Sequence, residues 1–399
     1  MIERRRDNRG RLLHNGEYQL ADGRYRFRYI DSFGKAQDVY SWRLTNNDAT
    51  PIGRKRTPAL RDMIKQIEAD QFDHIMTKGG KLTVIELVEK YVATKVGVRR
   101  TTGTGYKTVI NFLKTDEFSR RRIDTVRISD AKLWLIKLQK EYGKSYSSIH
   151  TIRGVLRPAF QMAMDDDYIR KNPFQFELVD VIVNDSVRRD AITREQERNF
   201  LKFVKEDIHF HRYYDAMFIL FRTGIRIGEF CGLTVSDIDF ENHSINIHKQ
   251  LQYAAGTGRY IEETKTEAGR RIIPMTKEVE KCFKNLVDNR LKQKVEPAVD
   301  GVMGFLTFCQ NGQPALEYHW AKYFQRAVEK YNNTYVAKMP KITPHVCRHT
   351  YCSNMAKAGM NPKALQYLMG HSDISVTLNT YTHVNFDDAV AEVTKLGAV

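Results

Sequence analysis

The sequence predicts an α+β multidomain protein: a small β-sheet-plus-helix module, an all-α bundle, and a mainly α domain holding a small antiparallel sheet. Three observations carry that expectation. Residues 24–29 alternate strictly between arginine and aromatic side chains, with the period of a strand. The apolar period turns helical from residue 82, and beyond residue 190 capped helices interleave with short apolar strands. The expected domains are 1–76, 82–175 and 190–399. A chain of 399 residues, 42% of them hydrophobic and 28% charged, supports several cores and excludes a disordered or fibrous protein.

In the first module, a strand over residues 24–29 puts Arg24, Arg26 and Arg28 on one face and three aromatics on the other. Residues 32–35 supply the turn, and Val39 to Leu44 the returning strand. A helix follows, with Thr57 as N-cap, Pro58 at its first position and Leu60, Ile64 and Ile67 facing the sheet. Residues 77–81 (Thr-Lys-Gly-Gly-Lys) form a linker. In the bundle, the capping box Thr83–Glu86 opens a helix through Lys95. Ser129 caps a second helix, which carries Leu133, Ile136 and Leu138 and stops at Gly143. A third, from about Ser145 to Asp167, aligns Ile149, Ile152, Leu156, Phe160 and Ala163. Asn172-Pro173 ends the domain, and residues 174–190 read as an interdomain linker. The last domain opens on a helix capped by Thr193 and Gln196 and includes strands at Ser244–His248 and Arg271–Pro274.

Lys plus Arg number 64 against 48 Asp plus Glu, and the net charge of +16 favours a polyanionic partner, nucleic acid first. Segment 77–190 holds +8 of that excess, so it is the segment expected to follow a phosphate backbone. The expected DNA contacts are Arg24, Arg26, Arg28 and Tyr40 in the first module, and Arg99, Arg100, Lys107 and Arg153 among the basic surfaces of the bundle, where Arg120, Arg121 and Arg122 also lie. The longest apolar run, Ala216–Phe221, falls far short of the ~20 residues a membrane helix needs. The charged start without an apolar segment makes the cytoplasm the expected compartment, associated with the nucleoid. Five scattered cysteines suit free thiols.

Four stretches of the last domain carry reactive side chains. Residues 223–229 place Arg226 and Glu229 one helical turn apart, after a glycine turn. Lys265 sits in a polar hairpin ahead of the Arg271–Pro274 strand. His345 and Arg348 are three apart, hence on one helical face. His371 follows Gly370, ten residues before Tyr381. These residue types suit phosphoryl transfer to a tyrosine. Two guanidiniums can fork onto the non-bridging oxygens of a phosphodiester, where charge grows in the transition state. A phenol with a pKa near 10 needs an imidazole to take its proton, and a lysine ammonium can return one to the leaving oxygen. Glu229 is given an orienting role only. For the lysine, Lys249 and Lys277 remain alternatives. A zinc site at His345, His349 and Cys352 is the rival reading, but it lacks a fourth ligand, and His349 and Cys352 are better read as packing residues.

The ordered set Arg226, Lys265, His345-x-x-Arg348, His371 and Tyr381 resembles the tyrosine recombinase (phage integrase) family over residues 190–399. Segment 82–175 is similar to that family's core-binding domain, and with the basic sheet in front the chain resembles the integrases of conjugative transposons. The resemblance implies that Arg226 and Arg348 clamp a scissile phosphate while Tyr381 attacks it, leaving a 3′-phosphotyrosine and a free 5′-hydroxyl. Lys265 would be the general acid, His345 the proton acceptor and His371 a further phosphate donor, with no cofactor. It also implies an arm-type DNA-binding domain at 1–76, transposon-end and target DNA as partners, and a tetramer assembled through an exchanged helix over Phe386–Leu396. An accessory excision factor would set direction. A type IB topoisomerase, or an architectural DNA-binding protein without chemistry, is the alternative function.

Overall fold

A computed structural model of the chain describes residues 5–30, 36–72, 82–186, 191–264, 267–290, 295–381 and 394. The expected α+β architecture holds. Two compact units divide the chain, Met1–Val187 and Arg188–Val399.

In the first unit, β1 (Glu17–Gln19), β2 (Tyr25–Ile30) and β3 (Ala36–Ser41) form an antiparallel sheet in that order. Tyr25 is buried, and Phe27 packs against the small core it forms with Leu44 and Leu60, so the arginines take the opposite face. The strand β1 is absent from the sequence reading, because three residues carry no period. The returning strand starts and ends three residues earlier than expected. Past Ser41, the Arg43 and Leu44 carbonyls leave the ladder and accept the amides of Leu60 (2.8 Å) and Arg61 (3.1 Å). Those bonds also begin α1 (Leu60–Phe72) two residues beyond Pro58. Thr57 therefore does not cap it; the Thr57 carbonyl accepts from the Arg43 guanidinium at 2.8 Å.

The bundle comprises α2 (Val84–Ala93), α3 (Arg100–Thr115), α4 (Ile128–Lys140) and α5 (Tyr146–Asp165). Thr83 and Glu86 make the expected capping box, and Ser145 caps α5, which buries all five residues of its expected face. Helix α3 escapes the sequence reading because its first two turns are rich in threonine and glycine; Val109 and Leu113 anchor it. Helix α4 starts before Ser129, since Asp130 accepts the Arg127 amide at 2.9 Å. The buried face is accordingly Ala131, Trp134, Leu135 and Leu138, and Leu133 is 65% exposed.

Residues 174–182 are part of this bundle rather than linker, with Phe174, Leu178 and Ile182 buried in its core. Arg153 explains the attachment. Its guanidinium is buried, donates to the Phe176 carbonyl and lies over the Phe176 ring at 5.2 Å. Arg153 therefore does not belong to the basic surface on which the sequence reading placed it.

The second unit contains α6 (Arg194–Glu206), α7 (Tyr214–Thr223) and α8 (Ile227–Gly232), followed by β4 (Ile238–Asp239), β5 (Ser244–Ile247), β6 (Lys249–Ala254), β7 (Gly258–Glu263) and β8 (Arg271–Pro274). Helices α9 (Lys277–Asp288), α10 (Glu317–Thr334), α11 (Pro344–Lys357), α12 (Pro362–Met369) and α13 (Ile374–Leu378) complete it. Strands β4, β5 and β8 form one antiparallel sheet in that order, and β6 pairs with β7 in a hairpin. Phe200, Phe221, Phe230 and Phe324 lie in a core built by α6, α7, α8 and α10. The five cysteines are free and buried. Among the described residues, no helix is long and apolar enough to cross a membrane. Residues 386–393 and 395–396 of the expected exchanged helix lie outside the described residues.

Candidate active site

Helix α7 ends on Gly224 in the left-handed conformation, φ 63°. A side chain there would be strained, and its Cβ would lie 2.5 Å from the Tyr351 ring of α11. The tight turn delivers Arg226 to the start of α8. Glu229 folds back, its Oε2 accepting the Arg226 amide (3.0 Å) and its Oε1 the Arg226 Nη1 (2.8 Å). One carboxylate thereby holds both the backbone and the guanidinium of Arg226. Helix α8 is seated closely on β6, for a Cβ at Gly232 would come within 2.9 Å of the Leu251 amide.

Arg348 projects from α11 into the interior and is 9% exposed. Its Nη1 donates to the Gly224 carbonyl (2.7 Å) and its Nη2 to the Met369 carbonyl. Burial, reinforced by the nearby charge of Arg226, pulls this guanidinium down to about 9, although Glu229 opposes the shift. A site in which cations destabilise one another in this way favours an anion. A phosphodiester supplies one.

Arg226 Nη2 donates to the Gly370 carbonyl at 2.7 Å, where α12 ends on a left-handed glycine with φ 62°. That turn carries His371, whose Nδ1 lies 2.9 Å from the Thr377 hydroxyl. Burial, then the charges of Arg348, Arg226 and Arg271, depress His371 to about 4. The imidazole is therefore neutral near pH 7 and suited to donate one hydrogen bond without adding charge.

The remaining residues stand apart from this cluster. His345 is exposed on the first turn of α11, one turn before the buried Arg348, and among the described residues no hydrogen bond ties it to the arginines. Tyr381 packs against the buried cluster of Tyr351, Cys352, Leu365 and Met369, and its hydroxyl donates to the Met360 carbonyl at 2.6 Å. Burial and the Cys352 thiol raise the phenol above its usual value. Held this way, Tyr381 is a protonated donor. Lys265 lies outside the described residues; Thr264, just before it, follows β7, and its amide donates to the His248 carbonyl at 3.3 Å. Of the alternatives, Lys249 is paired with the Asp237 carboxylate and Lys277 is exposed at the start of α9. Cys352 is buried, whereas His349, read as a packing residue, is exposed.

In the basic modules, Arg28 makes two 3.1 Å bonds to Asp38, Arg26 lies 3.9 Å from the same carboxylate, and Arg24 pairs with Asp22. Tyr40 is 43% exposed beneath the Arg24 guanidinium. Arg100 and Lys107 are exposed on α3, and Arg99 is half-buried just before it.

The sequence reading assigned no role to Arg271, yet this side chain is fully buried and forks onto Glu229 at 3.1 and 2.8 Å. Burial by itself would raise the Glu229 carboxyl, but the bonds from Arg271 and the charges of Arg271 and Arg226 hold it below the usual carboxylate range. A signal was available. Strand alternation puts Arg271 on the same face as buried Ile273, an inward position for a charged residue.

The phage integrase family matches residues 190–388, the phage integrase SAM-like domain residues 83–181, and the DNA-binding domain of Tn916 integrase residues 1–71. The chain is 44% identical over 396 residues to the transposase from transposon Tn916 of Enterococcus faecalis, covering 99% of this chain and 97% of that protein. It resembles the solved Tn1549 transposon integrase bound to a circular intermediate DNA, with 43% identity, a TM-score of 0.75, and coverage of 79% of this chain and 99% of that one. The same integrase bound to transposon right end DNA matches with 43% identity and a TM-score of 0.75, covering 79% and 100%.

Proposed function

The chain belongs to the phage integrase family, and from that membership we propose how its residues and domains divide the work. It is a tyrosine-type site-specific recombinase that excises and integrates a conjugative transposon by cutting and rejoining DNA strands. Arg226 and Arg348 clamp the scissile phosphate, and the Tyr381 oxygen attacks its phosphorus. A phosphotyrosine bond forms on the 3′ side as the bond to the 5′ oxygen breaks. The phenol proton passes to His345, and the leaving 5′ oxygen takes a proton from Lys265. His371 donates to a non-bridging oxygen, and Glu229 orients Arg226. The observation that carries this reading is the meeting of half-exposed Arg226 with buried Arg348 and Arg271 at the end of α12, where, among the described residues, only Glu229, bonded to Arg226 and Arg271, opposes them, an excess of positive charge that a phosphodiester balances.

The matched segments support an arm-type DNA-binding domain at 1–76, a core-binding domain that runs from 82 through the docked residues to 182, and a catalytic domain at 190–399. Double-stranded DNA is the partner, and the two DNA complexes of the Tn1549 integrase support transposon ends as its sites. Four copies, linked through the segment Phe386–Leu396, act in pairs on two duplexes, with an accessory factor biasing direction.

The test is a nicked duplex carrying the element's end, incubated with the full chain and denatured. A protein–DNA adduct is expected with the wild type and absent with Tyr381→Phe, which should still bind the DNA. Tight binding without any adduct would leave an architectural protein in place of an enzyme.

A further inference from the structure

Three arginines meet the end of one helix. The successive carbonyls of Leu368, Met369 and Gly370, at the C-terminus of α12, accept from Arg271 Nε (2.7 Å), Arg348 Nη2 and Arg226 Nη2 (2.7 Å) respectively. A helix C-terminus, with its partial negative charge and unsatisfied carbonyls, suits that arrangement. Arg226 and Arg348 retain donors for a phosphate. Arg271 does not face one: its side chain has no exposure, and its bonds go to Leu368, to the Gly269 carbonyl (2.9 Å) and to both oxygens of Glu229.

We propose that Arg271 is a positioning residue for strand cleavage, pinning Glu229 on one side and the end of α12 on the other so that Arg226, Arg348 and His371 share one fixed frame. The fork on Glu229 leaves that carboxylate a single orientation, in which it also holds the amide and Nη1 of Arg226. The bond to Leu368 ties β8 to α12, as does the Tyr367 hydroxyl, which accepts the Ile272 amide at 3.1 Å. Contact is close enough that a Cβ on Gly370 would meet Arg271 Nη1 at 2.9 Å. Lysine cannot replace this residue, because a single ammonium lacks the planar fork that spans a carboxylate while reaching two carbonyls.

The inference rests on the recombinase reading above, and the test separates the two. Single-turnover adduct formation on the nicked duplex is measured for the full-length wild type, Arg271→Lys, Arg226→Lys and the double variant, alongside DNA affinity. Arg271→Lys is expected to slow adduct formation by about 10- to 100-fold, the scale of a small misplacement of a reacting group, with affinity unchanged. Added to Arg226→Lys, it is expected to cost less than its full single loss, because the part of its effect that runs through Arg226 is already gone. Multiplying losses, a parallel fall in affinity, or an unchanged rate would each overturn the proposal. Should Arg271→Lys fail to fold, Arg271→Met combined with Glu229→Gln removes both buried charges together and is expected to slow cleavage as much while DNA binding persists. A wild type that makes no adduct, or Tyr381→Phe that still makes one, would sink the recombinase reading itself.

Discussion

His371 is held well below its free value by burial and by the charges of the arginines around it, and the departure has a consequence in solution. Folded, it titrates near 4; released, it returns to 6.5. Between those values the unfolded chain binds the extra proton, so the stability contributed by the neutral imidazole is complete above about pH 6.5 and declines as pH falls toward 4. His371→Gln is expected to flatten the fall in thermal unfolding midpoint across that window relative to the wild type. Parallel curves would mean that the imidazole is not held neutral by the arginines. The same cluster explains what a string of letters hides. Residue type and order single out Arg226, His345, Arg348, His371 and Tyr381, of which the structure brings Arg226, Arg348 and His371 together and leaves His345 and Tyr381 apart. The partnership of Arg271 with Glu229 was not legible, because it joins positions 42 apart through a fold.

At the scale of elements, the capped helices and the strand alternation were legible wherever local chemistry decided the outcome, as at Thr83, Ser145 and Thr193. Reading failed where tertiary contacts won. Helix α1 starts late because the Arg43 and Leu44 carbonyls claim its first amides, and residues 174–182 dock because Arg153 reaches across to Phe176. The turn at Gly224 is a place where an element boundary serves the site. Gly224→Ala is expected to cost about 2–4 kcal/mol, combining a left-handed alanine with the overlap on Tyr351. Chemical denaturation reads that loss. Because the Gly224 carbonyl also holds Arg348, cleavage should fall more than DNA affinity does.

For the whole molecule, the charge of +16 argues for DNA without saying which cations touch it. Burial begins to sort them. If exposed Lys107 meets a phosphate, Lys107→Ala lowers the slope of log affinity against log salt by about 1. Buried Arg153→Met is expected to leave that slope alone and to cost about 1–3 kcal/mol of stability through the lost bond to Phe176. Equal slope changes in both variants would contradict the assignment of Arg153 to the bundle core. The reaction itself, however, turns on a covalent bond to Tyr381. Trapping the adduct on a nicked transposon end, digesting the protein and locating the peptide that carries the 3′-phosphate tests it most directly. Attachment at Tyr381, lost in Tyr381→Phe, is the expected result, and attachment at any other residue would contradict the account.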